Sequence, residues 1–181
     1  MTGIRTEEAR ALTWEHVGLD GDPVADPPVP PHVSVWRSVR AHGETKTERS
    51  KRTLALPKFV ADALQEHRAR QAVERLRAGP RRKEHHLVFA STVSTPRSAG
   101  NVRRDFRGIC GKAGLGKGWT PRELRHSFVS MLSADGVATE DISHLVGHSS
   151  TRTTERVYRH ELRPVLRTGA ERMSRILGQR S

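Results

Sequence analysis

The stretches Thr120-Pro121-Arg122-Glu123-Leu124-Arg125-His126 and Leu145-Val146-Gly147-His148, followed by Tyr158, are the most informative part of this chain. Tyr158 is the only tyrosine, and it follows His148 by ten residues. A guanidinium binds two phosphate oxygens and keeps its charge at neutral pH, and a phenol can attack phosphorus. A lone tyrosine is ordinarily an aromatic packed on a helix. Only the surrounding arginines and histidine indicate attack on a DNA phosphate without a metal.

The composition favours a partner with many negative charges. The chain has 181 residues, enough for one domain with a core, and a formal net charge of +12. Nucleic acid is the first expected partner, and an anionic membrane surface is the second. No apolar run approaches the roughly 18 residues that span a bilayer, and the basic residues are scattered through the chain. With no signal peptide visible, we expect a cytoplasmic, nucleoid-associated protein without membrane contact.

Cysteine and histidine usage argues against a metal or a disulfide. Cys110 is the only cysteine, so a disulfide within the chain is impossible and a cysteine-based zinc site is not expected. The ten histidines are scattered, and only His85 and His86 are adjacent. Adjacent side chains point apart on a helix or a strand, so this pair is a poor chelate. We expect neither a metal nor another cofactor.

Periodicity and turn residues predict a mainly α protein with a small antiparallel β-sheet, an α+β fold. The Pro- and Gly-rich segment 18–32 is predicted to be a surface loop, and two strands at 33–39 and 52–56 are predicted to form a hairpin. Tryptophans 14, 36 and 119 are expected in the core, as are the apolar positions of the second helix, Val60, Leu64, Val73 and Leu76. Helices are predicted at about 3–17, 57–78, 98–114, 121–134, 138–147, 150–158 and 163–178.

Five stretches occur in the order found in one known family. Together they resemble the C-terminal catalytic domain of the tyrosine recombinases, the phage integrase family. Any one stretch is weak evidence, and the ordered set is strong. The stretches are 2–14 (TGIRTEEARALTW), 45–57 (TKTERSKRTLALP), 120–128 (TPRELRHSF), 145–150 (LVGHSS) and 158–160 (YRH).

The resemblance implies a role for each matching side chain. Arg5 and Arg125 would clamp the scissile phosphate, and Lys46, on the hairpin turn, would protonate the leaving 5′-oxygen. His148 would hydrogen-bond the phosphate or assist proton transfer. Tyr158 would attack and form a 3′-phosphotyrosine. The implied catalytic set is Arg5, Lys46, Arg122, Arg125, His148 and Tyr158.

The match departs from the family pattern at one position and is ambiguous at another. Arg122 stands where the family usually has histidine; it can donate to a phosphate but cannot act as a base near neutral pH. His126 faces about 100° away from its neighbour Arg125 on a helix, which favours a structural role. Lys51 lies in the same basic stretch as Lys46 and is an alternative general acid. Glu8 matches an acidic position that would orient its neighbours.

The resemblance implies site-specific recombination or integration of double-stranded DNA. Such an enzyme would act within a homotetramer on synapsed DNA and could use an accessory directionality protein. The catalytic domain would span 1–162, truncated at its N-terminal side. The tail helix, 163–181, would pack in cis or pass to a neighbouring protomer. Two alternatives remain: an inactive relic that only binds DNA, and an enzyme resembling type IB topoisomerases.

Overall fold

The computed structural model describes residues 2–36, 38–39, 51–78, 86–91, 94–116 and 118–148. The predicted helices at 150–158 and 163–178, the hairpin tip with Lys46, and Tyr158 lie outside the described residues. The described helices are α1 (Thr6–Ala11), a 3₁₀ helix (Trp14–His16), α2 (Lys58–Ala78), α3 (Ala99–Lys112), α4 (Pro121–Ala134) and α5 (Thr139–Val146), and the strands are β1 (Val17–Gly18), β2 (His32–Val35) and β3 (Arg52–Ala55).

The strands form a three-stranded antiparallel sheet in the order β1-β2-β3. Val33 is paired with Val17 on one side and with Leu54 on the other. The predicted pairing of the second and third strands and the predicted fold class, mainly α with a small antiparallel sheet, are therefore confirmed. The short strand β1 was not predicted, because two residues are too few for a period to appear.

The first predicted helix, 3–17, is wrong in its length. The helix α1 ends where Leu12 takes an extended conformation, with φ −68° and ψ 131°. The side chain of Leu12 is buried, and its carbonyl accepts a hydrogen bond from the amide of Val88 at 2.9 Å. Pairing with a distant segment thus ends the helix, which a local apolar pattern cannot show. The strand β2 likewise stops at Val35 instead of reaching residue 39.

The core lies between the sheet and the first half of α2. Val60 and Leu64 pack against the buried cluster from α2, and farther along the same face His67 and Gln71 bond the carbonyls of residues 87 and 88. Val73 and Leu76 are 45% and 83% exposed, so their predicted burial is wrong. At about 100° per residue they fall off the face that Val60, Leu64, His67 and Gln71 share. The buried cluster comprises Leu12, Val17, Leu19, Val33, Val35, Leu54, Leu56, Ala61 and Val88.

The tryptophan predictions hold at one position of three. Trp14 packs against the core, and its indole N–H donates to Oε1 of Gln71 at 2.7 Å. Trp36 and Trp119 are 47% and 38% exposed, which makes their predicted burial wrong. Trp36 directly follows the end of β2, where its ring contacts His16, with 5.0 Å between ring centroids. Its position just past the strand leaves it outside the sheet-to-helix core.

A second small cluster joins α4 to α5. Val129, Ile142 and Val146 are almost completely buried in it, and Phe128 and Leu132 pack against them. This contact fixes the C-terminal end of α5 relative to α4. It therefore sets where His148 lies relative to the arginines of α4.

Candidate active site

The start of α4 is specified by a capping box. The Oε2 atom of Glu123 accepts from the backbone N–H of Thr120 at 2.8 Å and from the Thr120 hydroxyl, and Pro121 occupies the first turn. The cap places Arg122 in the first turn, exposed to solvent, and Arg125 one turn later, where it is partly buried. Residues three apart lie on the same side of a helix, so both guanidinium groups can serve one site.

The other end of the site is the C-terminus of α5. Gly147 takes the left-handed conformation, φ 64° and ψ 48°, and the amide of His148 donates to the carbonyl of Ser143 at 3.0 Å. This is a helix stop that glycine adopts without a steric penalty. His148 is the first residue after this helix stop, and Tyr158 follows it by ten residues in the sequence.

Three arginines from separate parts of the chain bind three consecutive carbonyls at this helix end. Arg5 donates from Nη2 to the carbonyl of Gly147 at 2.6 Å, and Arg52 donates from Nε to that of Leu145 at 2.8 Å. Arg125 donates from Nη2 to the carbonyl of Val146. The last carbonyls of a helix lack partners within it and carry partial negative charge, so cations are favoured there. We call Arg5, Arg52 and Arg125 the arginine set.

The arginine set is balanced by one buried carboxylate. Glu8 accepts from Nη1 of Arg5 at 2.7 Å, from the backbone N–H of Arg5 at 2.7 Å, and from Nη2 of Arg52 at 2.9 Å. Burial raises the pKa of Glu8, but the hydrogen bonds and charges of Arg52 and Arg5 outweigh it, and the net pKa is lowered. Glu8 is therefore an anion at neutral pH. Three guanidinium groups around one carboxylate leave a net positive charge.

A second glycine brings the chain close to Arg125. The carbonyl of Gly3 accepts a hydrogen bond from Nη1 of Arg125. Gly3 has φ 64°, and a Cβ atom there would lie 2.5 Å from the ring of Phe128 on α4. Only glycine lets the segment before Arg5 pass this close to the Phe128 ring. The positions of Arg5 and Arg125, the two candidates for phosphate binding, therefore depend on Gly3.

The electrostatics of the site place its groups in distinct protonation states. Burial and the nearby charges of Arg5 and Arg52, opposed by Glu8, lower the pKa of Arg125 to about 9, which leaves its guanidinium charged at pH 7. Burial and then the charges of Arg125, Arg5 and Arg52 lower the pKa of His148 to about 4. His148 is therefore neutral at pH 7 and can accept a proton. The site combines fixed positive charge with a neutral imidazole, which suits binding and displacement at a phosphate.

The lowered pKa of His148 predicts a loss of stability in acid. Between about pH 6.5 and pH 4 the unfolded chain binds a proton at His148 that the native protein does not, so the free energy of unfolding falls as pH falls. After allowing for solvent screening of this half-buried ring, the loss is on the order of 1 kcal/mol. Denaturant titrations across this range should show a flatter profile for His148→Asn. Equal profiles for His148→Asn and the parent would contradict the assignment.

The structure brings together three of the six residues expected from the sequence. Arg5 and Arg125 donate to carbonyls at the end of α5, and the charges of both arginines act on His148. Arg122 lies exposed one turn before Arg125. Lys46 and Tyr158 lie outside the described residues, as does the hairpin tip. Lys51 is described and exposed, directly before β3.

Arg52 is the residue of the site that sequence reasoning missed. The sequence pattern predicts Arg52 only as the first residue of the strand 52–56. A signal was present, because Arg52 is in phase with Leu54 and Leu56, and alternate residues of a strand share a face. Leu54 and Leu56 are buried, and the side chain of Arg52 is only 8% exposed. A charged residue on the buried face of a strand must have a partner, which here is Glu8.

Within the ranges that the structure describes, no group of three or more histidine, cysteine, aspartate and glutamate side chains could hold a metal ion. The same ranges contain no helix long and apolar enough to cross a bilayer.

Fold and site together define a small α+β domain with a cluster of arginines at the end of one helix. The profile of the phage integrase family matches residues 1–163, and the chain belongs to that family. An integrase of Streptomyces ambofaciens is 57% identical over 178 residues, covering 97% of this chain and 46% of the relative. A tyrosine recombinase XerC-like protein of Caldanaerobacter subterraneus is 31% identical over 132 residues, covering 69% of this chain and 32% of the relative.

Solved structures show the same fold. The crystal structure of XerA recombinase superposes with a TM-score of 0.66 at 23% identity, covering 99% of this chain and 55% of that one. The Tn1549 transposon integrase, solved in complex with transposon right end DNA, gives a TM-score of 0.69 at 19% identity, covering 97% and 56%. The chain spans less than half the length of the two curated relatives named above.

Proposed function

We propose that this chain is the catalytic domain of a site-specific DNA recombinase or integrase, acting through Tyr158. The observation that carries the proposal is that Arg5, Arg125 and a neutral His148 lie together at the end of α5. His148 precedes the only tyrosine of the sequence by ten residues. The net charge of +12 supports a partner rich in phosphates. Membership of the phage integrase family supports the same reaction class.

The proposed chemistry conserves the number of phosphodiester bonds. The phenol oxygen of Tyr158 attacks phosphorus, the bond from phosphorus to the 5′-oxygen breaks, and a 3′-phosphotyrosine remains. Arg5, Arg125 and Arg122 neutralise the oxygens of the phosphate, whose charge grows in the transition state. The reverse attack by a 5′-hydroxyl rejoins the strand, so no energy cofactor is consumed.

Two proton transfers accompany the attack. The phenol loses its proton, and His148, whose imidazole is neutral at pH 7, would accept it or hydrogen-bond the phosphate. The leaving 5′-oxygen gains a proton from a lysine of the β2–β3 connection, Lys46 or alternatively Lys51. His148 is unsuited to be that acid at pH 7, because its imidazole does not carry the extra proton.

The proposal extends to the domains of the chain, its substrate, its partners and its location. We assign 1–162 to the catalytic domain and 163–181 to a tail that packs in cis or on a neighbouring protomer. The substrate is double-stranded DNA, cut one strand at a time within a homotetramer, and an accessory directionality protein is an expected partner. The protein would work in the cytoplasm, at the nucleoid.

Covalent capture tests the proposal. The chain is incubated with a pool of randomised nicked duplexes that lose a short fragment on cleavage and so trap the covalent product. A DNA adduct that survives denaturation and maps to Tyr158 by mass spectrometry is expected, and sequencing the captured DNA reveals its preferred site. A folded protein that binds duplexes in a salt-dependent way but forms no adduct would favour either the DNA-binding relic or a need for the part of the relatives that this chain does not span, and adding that part would separate the two. Relaxation of supercoiled plasmid without a preferred site would favour the topoisomerase-like alternative.

A further inference from the structure

Arg52 connects three parts of the candidate active site. Its side chain is 8% exposed and leaves β3 toward both the start of α1 and the end of α5. Its Nη1 and Nη2 atoms donate to the two carboxylate oxygens of Glu8, at 3.2 and 2.9 Å, while Nε donates to the carbonyl of Leu145 at 2.8 Å. A planar guanidinium with three separately directed donors suits this junction, and a lysine ammonium cannot reproduce it.

Glu8 is shared between Arg52 and Arg5, and this sharing fixes the orientation of Arg5. The Oε1 atom of Glu8 receives Nη1 of Arg5 at 2.7 Å, which leaves Nη2 of Arg5 directed at the carbonyl of Gly147. Both oxygens of Glu8 also receive Arg52, so the carboxylate charge is divided between two cations. Without Arg52, Arg5 alone would neutralise a carboxylate whose side chain is 3% exposed, and it would be less available to a phosphate.

Arg52 also supports the helix end that carries His148. A Cβ atom on Gly147 would lie 2.8 Å from Nη1 of Arg52, so the guanidinium packs directly against this glycine. With the bond to Leu145, this contact fixes the last turn of α5 against β3. His148 is the next residue after Gly147, and its place depends on that turn.

We propose that Arg52 is a positioning residue for the scissile phosphate, which neutralises Glu8 and fixes the end of α5 so that Arg5 and His148 are held ready for the reaction. This inference rests on the proposed recombinase function. Arg52 acts through Glu8 and Leu145 and requires no contact with DNA. Its effect should therefore depend on the presence of the Glu8 carboxylate.

A double substitution tests this dependence in the covalent capture assay. Arg52→Gln should slow adduct formation about a hundredfold, because misplacing groups by about 1 Å has an effect of that size. Glu8→Gln together with Arg52→Gln removes the unbalanced carboxylate and should restore at least about tenfold of that loss, a non-additive result. Arg52→Lys should fall between the parent and Arg52→Gln. Arg77→Gln, which removes an exposed arginine of α2, is the matched control for net charge and should stay within about twofold of the parent.

The titration of His148, followed by NMR, separates this inference from the proposed function. His148 is acted on by Arg125 and His126 of α4, by Arg5 before α1, and by Arg52 of β3. Arg52→Gln should raise the pKa of His148 toward its ordinary value, and the double variant should bring it back toward that of the parent. Because the charge of Arg52 acts on His148 directly, Arg52→Lys is the discriminating variant: it keeps the charge, so a changed pKa of His148 in this variant reports loss of the guanidinium geometry. Thermal melts of each variant establish that the protein is folded.

Two results would overturn the inference. One is a double variant no faster than Arg52→Gln in adduct formation. The other is an Arg52→Gln protein, folded by its melt, in which His148 titrates as in the parent. If the parent itself forms no adduct, the proposed activity of this chain fails, and the titration of His148 in the charge-conserving Arg52→Lys variant decides whether Arg52 has the positioning role.

Discussion

Replacing Arg125 with glutamine is expected to slow covalent adduct formation about a thousandfold, because removal of one preorganised donor to a developing charge costs about 10²–10³ in rate. Arg125 also contributes a full positive charge that burial leaves poorly screened, which favours the upper end of this range. Arg125→Lys should recover about tenfold, since it keeps the charge but not the fork that reaches Gly3 and Val146 together. The measurement is the single-turnover rate on the nicked duplex that the parent prefers.

The fold of the Arg125→Gln variant should persist. Its hydrogen bonds to two carbonyls are lost, but so is the repulsion from Arg5 and Arg52 that contributes to lowering the pKa of Arg125. The two effects oppose each other, and a thermal melt should show a modest change. The Tyr158→Phe variant lacks the hydroxyl of the proposed nucleophile and gives the background signal of the assay. A folded Arg125→Gln protein that reacts within about threefold of the parent would remove Arg125 from the proposed phosphate clamp.

Replacing Gly147 with alanine is expected to lower the free energy of unfolding by about 2–3 kcal/mol. The left-handed backbone costs roughly 1–2 kcal/mol for a residue with a Cβ atom. That Cβ would also lie 2.8 Å from Nη1 of Arg52, so the guanidinium must shift from its hydrogen bonds to Glu8 and Leu145. For a protein of this size the melting temperature should fall by about 5–10 °C.

A glycine elsewhere in the chain gives the matched control. Gly108 lies within α3, and a Cβ atom there would meet nothing within 4 Å. Gly108→Ala should therefore raise the free energy of unfolding by about 0.5–1 kcal/mol, since alanine is the better helix former. If Gly147→Ala is as stable as Gly108→Ala, the close packing of Arg52 against the helix end is wrong.

The bounds of α4 and α5 were predicted well because the residues at their ends favour a helix start or a helix stop. The predicted ranges 121–134 and 138–147 agree with α4 and α5 to within one residue; a capping box of Thr120 and Glu123 begins α4, and Gly147 ends α5. Both signals act within one helical turn, so they can be read without knowing the fold. The first predicted helix was too long because Leu12 leaves it to pair with Val88, a contact across the chain. The predicted burial of Leu76 was wrong because, at about 100° per residue, Leu76 does not share the helix face of Val60 and Leu64.

The candidate catalytic residues were predicted from the sequence because the proposed chemistry requires their residue types. Attack on a phosphate needs cations with fixed charge, a nucleophile and proton carriers, and the chain presents Arg5, Arg125, His148 and Tyr158 in an ordered set of stretches. The family resemblance also implied that Glu8 orients its neighbours. The net positive charge, and with it the expectation of a polyanionic partner, follows from composition, which folding does not change.

Only the tertiary structure assigned Arg52 to the site and established the protonation state of His148. Arg52 lies far along the chain from both Glu8 and Leu145, and sheet pairing together with helix packing brings the three together. The lowered pKa of His148 arises from burial and from the charges of the arginine set, which act through space. Electrostatic energy and desolvation depend on distances between atoms, so the sequence alone specified which groups are present, and the fold decided what each of them can do.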